Sequence, residues 1–473
     1  MRFPTVCAVG LASFLLGGFP AARAEAPPAD ATETAPQEGE GEVAAPAVSA
    51  AAEEGETEQE GAPSPLEEAE SEIRLGRRAP VIYRSTLDDR QSAAARAGDY
   101  TVDPDYRGFI PVPNTVVMVK FNAKPRVDFV GDSGDAGTDF RFVPALFPPS
   151  TNGAVFGRVP QDGWQFGANA NGSQMIVDVQ APSIEGTPRF YYQNDFFGDN
   201  LNPMRYRLQH LYGEYSGFTA GFTYGVFEDP DAWPNTVDYE GPNAVIFARR
   251  AVGQYQREIA DRVILTLSVE DPDIFVDTTG SVGATPRFRA PDAGFALEWA
   301  PADRGHVRMS TILRAIGVAG GTLGSQDAFG WGINTSGNLR VTSRDNIQFW
   351  FVYGEGVGGM GNDTSFLNSD AAFTAWGALE PLEYWSAMGA LTHQWTPRWS
   401  STATYGHVNL ENTALQAAAA YHESQYASIN VVYQVFKRVR VGLEGLYGEK
   451  QVRSGQSNDI FRIQAGVQFA LFD

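Results

Sequence analysis

Thirteen cationic side chains recur on one face of segments that read as extended strands: Lys120, Lys124, Arg126, Arg189, Arg205, Arg207, Arg250, Arg308, Arg314, Arg340, Arg438, Arg440 and Arg462. A guanidinium is a planar fork that matches carboxylate or phosphate in bidentate fashion. Rings of such groups in a low-dielectric wall focus a field that draws anions. Strand alternation places seven acids on the same face: Asp128, Asp178, Asp195, Glu258, Glu270, Glu298 and Glu444. Thirteen bases against seven acids point to a positive lining whose chemistry would be pore-lining or anion-binding. Arg126, Arg205, Arg207, Arg250 and Arg314 fall toward mid-strand, where a constriction would form. Any one of them alone is better explained as a wall residue neutralised by a nearby acid, so the collective excess is what carries the expectation.

Other chemistries lack their residues. The five histidines (His210, His306, His393, His407, His422) form no HExxH and no ligand spacing, so neither zinc nor a catalytic base is indicated. Asp132, Asp135 and Asp139 do not have calcium-loop spacing. No serine, including the one in Gly213-Glu-Tyr-Ser-Gly217, stands in a Gly-x-Ser-x-Gly elbow. Gly354-Glu-Gly-Val-Gly-Gly359 has no helix after it and does not make a phosphate cradle. The one cysteine, Cys7, lies near the N-terminus. The expectation is a protein that is not an enzyme and uses no cofactor or metal.

Side chains in this pattern need strands to hold them, and the last stretch shows how. Phe461, Ile463, Ala465, Val467, Phe469 and Leu471 alternate with Arg462, Gln464, Gly466 and Gln468, apolar on one face and polar on the other. Sixteen such segments can be placed, at about 116–130, 173–181, 188–195, 204–215, 218–226, 245–258, 262–270, 291–300, 305–316, 328–340, 344–356, 383–396, 398–409, 424–436, 438–450 and 459–472. Connections after odd-numbered strands run from about 8 to about 42 residues, and those after even-numbered strands from about 1 to about 6. Short turns at one end and long loops at the other, with an even strand count, are what an outer-membrane barrel requires. Beyond the first two dozen residues no apolar run reaches about 18 residues, so a membrane helix is not on offer, and only a closed barrel could satisfy the backbone in lipid. The fold class expected is all-β, a transmembrane antiparallel β-barrel of about sixteen strands spanning 116–473. Its outward face would carry Phe218, Phe222 and Tyr224, Leu265 and Leu267, Phe295 and Trp299, Phe349 and Phe351. Trp299, Trp395 and Trp399 beside short turns would form an interfacial girdle. The last strand should close against residues 116–130.

The N-terminus suggests the compartment. Arg2, the apolar run Val6 to Phe19 and Ala22-Arg23-Ala24 read as a signal peptide over residues 1–24. Residues 25–63 are Ala, Glu, Pro and Gly with almost no large apolar side chain and are expected to be a disordered acidic linker. Residues 64–115 are expected to be a short periplasmic segment, helical from Ser64 to Gly76 and from Thr86 to Arg96 and then extended. The net charge is −22. Setting aside the fifteen acids of 25–72 and the two arginines of the first 24 residues leaves −9 for the remainder. Such acidity argues against nucleic acid as a partner.

Several segments resemble the DcaP-like family of outer-membrane porins: Asn194-Asp-Phe-Phe-Gly198, Tyr206-Arg-Leu-Gln-His-Leu-Tyr-Gly-Glu214, Ala220-Gly-Phe-Thr-Tyr-Gly225 and Tyr353-Gly-Glu-Gly-Val-Gly358. The resemblance covers roughly Val116 to Phe472. It implies a homotrimer of sixteen-stranded barrels with the N-terminus periplasmic, surrounded by outer-membrane lipid and lipopolysaccharide and taking up small, preferentially anionic organic solutes. The chain departs from the family in two places. Its extension holds little more than one helical heptad where a longer coiled coil is usual, and it ends Leu471-Phe472-Asp473 where a terminal Phe is usual. The competing expectation is a structural or adhesive barrel with little conductance.

Overall fold

The computed structural model describes residues 108–149, 163–182, 186–198, 202–301, 304–365 and 367–471. The expected signal peptide, acidic linker and helical segments lie outside the described residues.

Among the described residues sixteen strands follow one another around a ring, each hydrogen-bonded antiparallel to the next. The first, β1, comprises Met118–Lys124 and Arg126–Asp132; β2 comprises Gln165–Asn169 and Gln174–Gln180. Then come β3 (Arg189–Asp195), β4 (Arg207–Tyr215), β5 (Phe218–Tyr224), β6 (Arg249–Ala260), β7 (Val263–Glu270) and β8 (Asp292–Trp299). The second half is β9 (Gly305–Gly320), β10 (Gln326–Arg340), β11 (Asp345–Glu355), β12 (Glu383–Thr396), β13 (Trp399–Leu410), β14 (Tyr421–Phe436), β15 (Val439–Val452) and β16 (Ser457–Phe469). The ring closes where β16 pairs with β1, from Arg462 opposite Asp132 to Gln468 opposite Arg126. Pro125 interrupts β1 because it has no N–H to give the ladder. Its carbonyl still accepts from Phe469 N at 2.9 Å, and Ala123 O accepts from Leu471 N at 2.9 Å, so the seam continues past the break.

Alternation sorts the faces as the sequence predicts. On β16, Phe461 and Ile463 are 41% and 47% exposed on the outside, whereas Arg462 and Gln464 are 1% and 4% exposed on the inside. Phe218, Leu267, Phe295 and Phe351 likewise face out, and Trp299, Trp395 and Trp399 stand exposed beside the short turns. A wall apolar outside and polar inside suits lipid on one side only. The short turns have fitting chemistry: Ser216 and Gly217 between β4 and β5 both take positive φ, 52° and 86°, the geometry of a two-residue type I′ hairpin.

Several boundaries differ from expectation by three residues or more, among them β9, which runs to Gly320 rather than 316, and β14, which starts at Tyr421 rather than 424. Strand β4 starts at Arg207 rather than 204, and β6 at Arg249 rather than 245, because residues 245–248 are pulled into the interior, where Val245 and Ile246 are fully buried. Residues 165–169, expected in a loop, extend β2 alongside β1.

The larger surprise is where the core sits. Parts of three long connections, 133–149, 225–248 and 356–382, fold into the barrel against the inward faces of its second half. Phe227, Val245, Ile246, Trp350, Met360 and Tyr384 belong to one dry cluster there. Phe142, Phe147, Tyr426, Leu446 and Ile460 form another. The inward face therefore does not line water all round, as strand alternation alone implied.

Candidate pore and its charged lining

The connection 225–248 crosses the bore in steps that match β10. Asn334, Ser336 and Asn338, alternate and inward, bind residues 227, 229 and 231 in register. Asn334 Nδ2 donates to Phe227 O at 2.7 Å, Ser336 Oγ to Asp229 at 2.5 Å and Asn338 Nδ2 to Asp231 O at 3.1 Å. The same connection runs on along β12 and β14 and also reaches β2, opposite β10 in the ring, where Gln174 Nε2 donates to Tyr239 Oη at 2.7 Å. Asn430 Nδ2 donates to Asn235 O at 2.9 Å, Ser386 Oγ to Ala244 O at 2.7 Å and Asn243 Nδ2 to Ser424 Oγ at 2.8 Å. This loop is therefore a constricting element, and the first long loop joins it: Arg141, from that loop, pairs with Glu240. Asp363 of the connection 356–382 accepts from Ala145 N at 3.0 Å and Tyr421 Oη at 3.1 Å. Lys450 Nζ donates to Ala145 O and Phe147 O at 2.7 and 2.9 Å.

Most of the predicted lining arginines meet a carboxylate. Arg126 is bidentate on Asp128 at 2.7 Å, Arg462 binds Asp132 at 2.6 and 2.8 Å, and Arg207 binds Asp195 at 2.8 and 2.5 Å. Arg189 joins Asp178 at 2.9 Å and Glu214 at 3.2 Å, and Arg308 joins Glu298 at 3.2 Å. Arg250 meets Asp292 at 2.9 Å. Arg314, with a fully buried side chain, holds Asp292 and Asp370 at 2.9 Å each and is closed off from water. Arg440 donates to Thr236 O at 3.3 Å. Arg340 is the last residue of β10, at a short turn. Arg205 and Arg438 lie exposed outside β4 and β15, so Arg205 is not the mid-strand residue expected.

The positive excess counted from strands is thus offset inside the barrel. Strand parity missed Asp132, Glu214 and Asp292, and could not foresee that Glu228, Asp229, Asp238, Glu240, Asp363 and Asp370 would be carried inward by loops and buried. Against these the loops add one buried arginine, Arg141. Each inward guanidinium would be costly in a low-dielectric interior without such a partner. Arg249 was missed because parity selected its neighbour Arg250; at the start of β6 both turn inward, and the Arg249 guanidinium lies 4.4 Å from the centre of the Phe247 ring. Tyr224, expected on the lipid face, instead packs against His210 with ring centres 4.7 Å apart.

Open space lies along the first half of the ring, toward the short turns. A vestibule of about 720 Å³ is lined by Lys120, Asn122 and Lys124 of β1, Asp178 of β2, Arg189, Tyr191 and Gln193 of β3, and His210, Tyr212 and Glu214 of β4. Its other side is Glu228, Asp229 and Asp231 of the constricting loop, Glu298 of β8 and Arg308 of β9. Within the loop, burial pushes the Glu228 carboxyl well above its ordinary range. Burial and the neighbouring Asp229 push Asp231 up to about 7. Asp229 is also buried, but His306, whose Nε2 lies 2.9 Å from it, holds its carboxyl below the usual value.

No family model matches this sequence, and no curated protein matches it either. Among solved structures the chain is similar to the outer membrane channel DcaP of Acinetobacter baumannii, with a TM-score of 0.65 at 19% identity over 76% of this chain and 99% of that one. It is also similar to an anion-selective porin from Comamonas acidovorans, at TM-score 0.47 and 9% identity over 75% of this chain and 100% of the other. A third is OmpF of Salmonella typhi, at 0.47 and 9% over 76% and 100%. The first likeness establishes the fold as that of an outer-membrane channel barrel; the other two carry no weight beyond it.

Proposed function

We propose that this chain is a porin of the bacterial outer membrane, a passive channel for small polar solutes. The observation that carries this reading is the ring of sixteen strands, apolar outside, around an inward face of ionic side chains and a polar vestibule of about 720 Å³. A lipid-facing wall with a solvated interior has one economical use, which is to pass what the bilayer excludes. The N-terminus would lie in the periplasm with the short turns, and the exposed aromatic wall would contact lipid, lipopolysaccharide and, in a homotrimer, neighbouring copies.

The finer reading is a preference for small organic anions. It is supported by Lys120 and Lys124 in the vestibule wall and by the Arg249 guanidinium, which rests on aromatic rings. Because most inward bases face carboxylates, the preference should be mild. Single-channel recording in a planar bilayer tests the channel, and the reversal potential under a potassium chloride gradient tests the preference. Discrete conductance steps and an anion-side reversal potential are expected; a silent barrel would refute the porin reading. A second reading, a structural barrel with little conductance, draws support from the three loops folded inside, and the same recording decides between them.

A further inference from the structure

The short turns are not alike in charge. The four that join β8 to β9, β10 to β11, β12 to β13 and β14 to β15, at 300–304, 341–344, 397–398 and 437–438, contain Arg304, Arg344, Arg398, Lys437 and Arg438 against one acid, Asp303. The other three, at 181–188, 216–217 and 261–262, contain Arg262 against Glu185 and Asp261. One continuous arc of this end therefore carries 5 − 1 = +4 and the rest 1 − 2 = −1, in a chain whose net charge is −22. All five bases of the arc are exposed. Asp345, the carboxylate next to Arg344, is held by His393 at 2.6 Å, and among the described residues no salt bridge takes up Arg304, Arg344, Arg398 or Lys437.

The same arc carries exposed aromatic rings. Trp299 stands beside the first of these turns, Trp395 and Trp399 flank the third, and Phe436 precedes the fourth. The Trp399 ring stacks on Tyr433 at 4.4 Å between centres, and Trp395 Nε1 donates to Ser401 Oγ at 3.0 Å, so both indoles are fixed on the outer wall. Tryptophan at the edge of an apolar wall marks where hydrocarbon gives way to headgroups. The bases thus stand at headgroup level, with stems long enough to lie on the wall while their charged heads stay wet. Strands lie about 4.8 Å apart, so successive short turns are roughly 10 Å apart and the cations form a row, not a pocket. A soluble anion meets them one at a time; phosphates already arrayed in a membrane plane meet the whole row.

We propose that this arc, from β8 to β15, is a docking surface for anionic phospholipid headgroups of the leaflet at the short-turn end. The inference rests on the outer-membrane barrel reading and adds to it a lipid class and the side of the barrel that takes it. Each base gains from the negative surface potential, and the guanidinium forks match phosphate oxygens. A phosphatidylglycerol phosphate has no positive group of its own, whereas in phosphatidylcholine the choline competes with the arginines.

The test is native mass spectrometry of the full-length protein in nonionic detergent, incubated with equimolar phosphatidylglycerol and phosphatidylcholine of the same acyl chains. In 0.05 M ammonium acetate wild type should retain phosphatidylglycerol at least about tenfold over phosphatidylcholine, and the combined variant Arg304→Gln, Arg344→Gln, Arg398→Gln, Lys437→Gln should retain it about threefold or less. Arg262→Gln, in a short turn outside the arc, should leave the ratio within about twofold of wild type. Raising ammonium acetate to 0.5 M should shrink the wild-type ratio by screening, an arm that needs no variant to fold. Equal retention of the two lipids by wild type, or a ratio that survives both the salt and the four substitutions, would overturn the proposal. Displacement of the lipid by an equal concentration of glycerol 3-phosphate would overturn the membrane as the source of the phosphate. A chain that stays in solution without detergent would instead sink the barrel reading itself.

Discussion

Arg314 offers the most severe test of how the barrel is held. Its guanidinium joins three separate pieces of chain: Asp292 on β8, Asp370 in the connection 356–382, and the carbonyls of Gly356, at 2.7 Å, and Asp273. Arg314→Met keeps the volume and removes the charge. Breaking a buried ion pair by deleting one partner costs about 3–5 kcal/mol, because the other charge is left unmatched. Here part of that cost is spared. Asp292 keeps Arg250 at 2.9 Å, and Asp370 keeps the N–H groups of Gly359 and Phe275 at 2.8 and 2.9 Å. The two carbonyls lose a donor at about 1 kcal/mol each. The loss should therefore sit near the low end, about 3 kcal/mol. Urea unfolding of the detergent-folded barrel, followed by tryptophan fluorescence, measures it. Chymotrypsin should then cut at Phe373, now 1% exposed, well before the strands give way. Adding Asp370→Asn should restore about 1 kcal/mol or more by removing the orphaned charge. A loss under about 1 kcal/mol, or no recovery in the double variant, would refute the view that this arginine latches the inward loop to the wall.

Other consequences are simpler. Gly332 of β10 faces the constricting loop so closely that a Cβ would stand 2.9 Å from both Phe227 Cζ and Val357 Cγ1; Gly332→Val should cost about 1–3 kcal/mol by overpacking and raise conductance by loosening the loop, and an unchanged urea midpoint would contradict this. Phe227→Ala, at a fully buried ring, should cost about 3–5 kcal/mol in the same titration, whereas a solvated loop residue would cost almost nothing. Asp231, pushed up to about 7, is neutral at pH 5.5 and charged at pH 8.5, so anion preference should fall as pH rises across that window. Asp229, Glu298, His306 and Arg308 surround it, and Asp231→Asn should flatten the dependence; a reversal potential that moves equally in that variant would assign the titration to one of these neighbours.

The architecture was largely legible in the sequence, because in a membrane barrel each strand repeats the same two-sided demand. Phe461 and Arg462 are adjacent yet belong to the outer face and to the interior, and a soluble sandwich or propeller has no reason to sort its loops by strand parity. The site was legible only in part. Alternation identified Arg126, Arg250, Arg308, Arg314 and Arg462 as inward, since a regular strand fixes which way a side chain points. It failed at Arg205, Arg249 and Tyr224, which sit where strands bend into loops and the period of two lapses. It also could not weigh Glu228, Asp238 or Asp363, for loop acids have no period to follow. One signal for the inward loop was present: Asn334, Ser336 and Asn338 make a polar stripe on β10 too weakly charged for a pore wall and well suited to binding a backbone.

That stripe also explains why counting strand charges misjudges this lumen. A bare guanidinium pointing into a narrow, low-dielectric space would pay heavily for lost hydration, so a barrel that fills half its bore with protein must supply acids along with the filling. Here the filling comes from loops, and loops bring their carboxylates: Glu240 to Arg141, Asp370 to Arg314, Asp229 to His306. Charge pairing continues around the vestibule, Arg189 with Asp178 and Glu214 and Arg308 with Glu298, while one Glu228 oxygen there has no hydrogen-bond partner. Selectivity in such a barrel depends less on how many arginines it contains than on which few charges the inward loops leave unmatched.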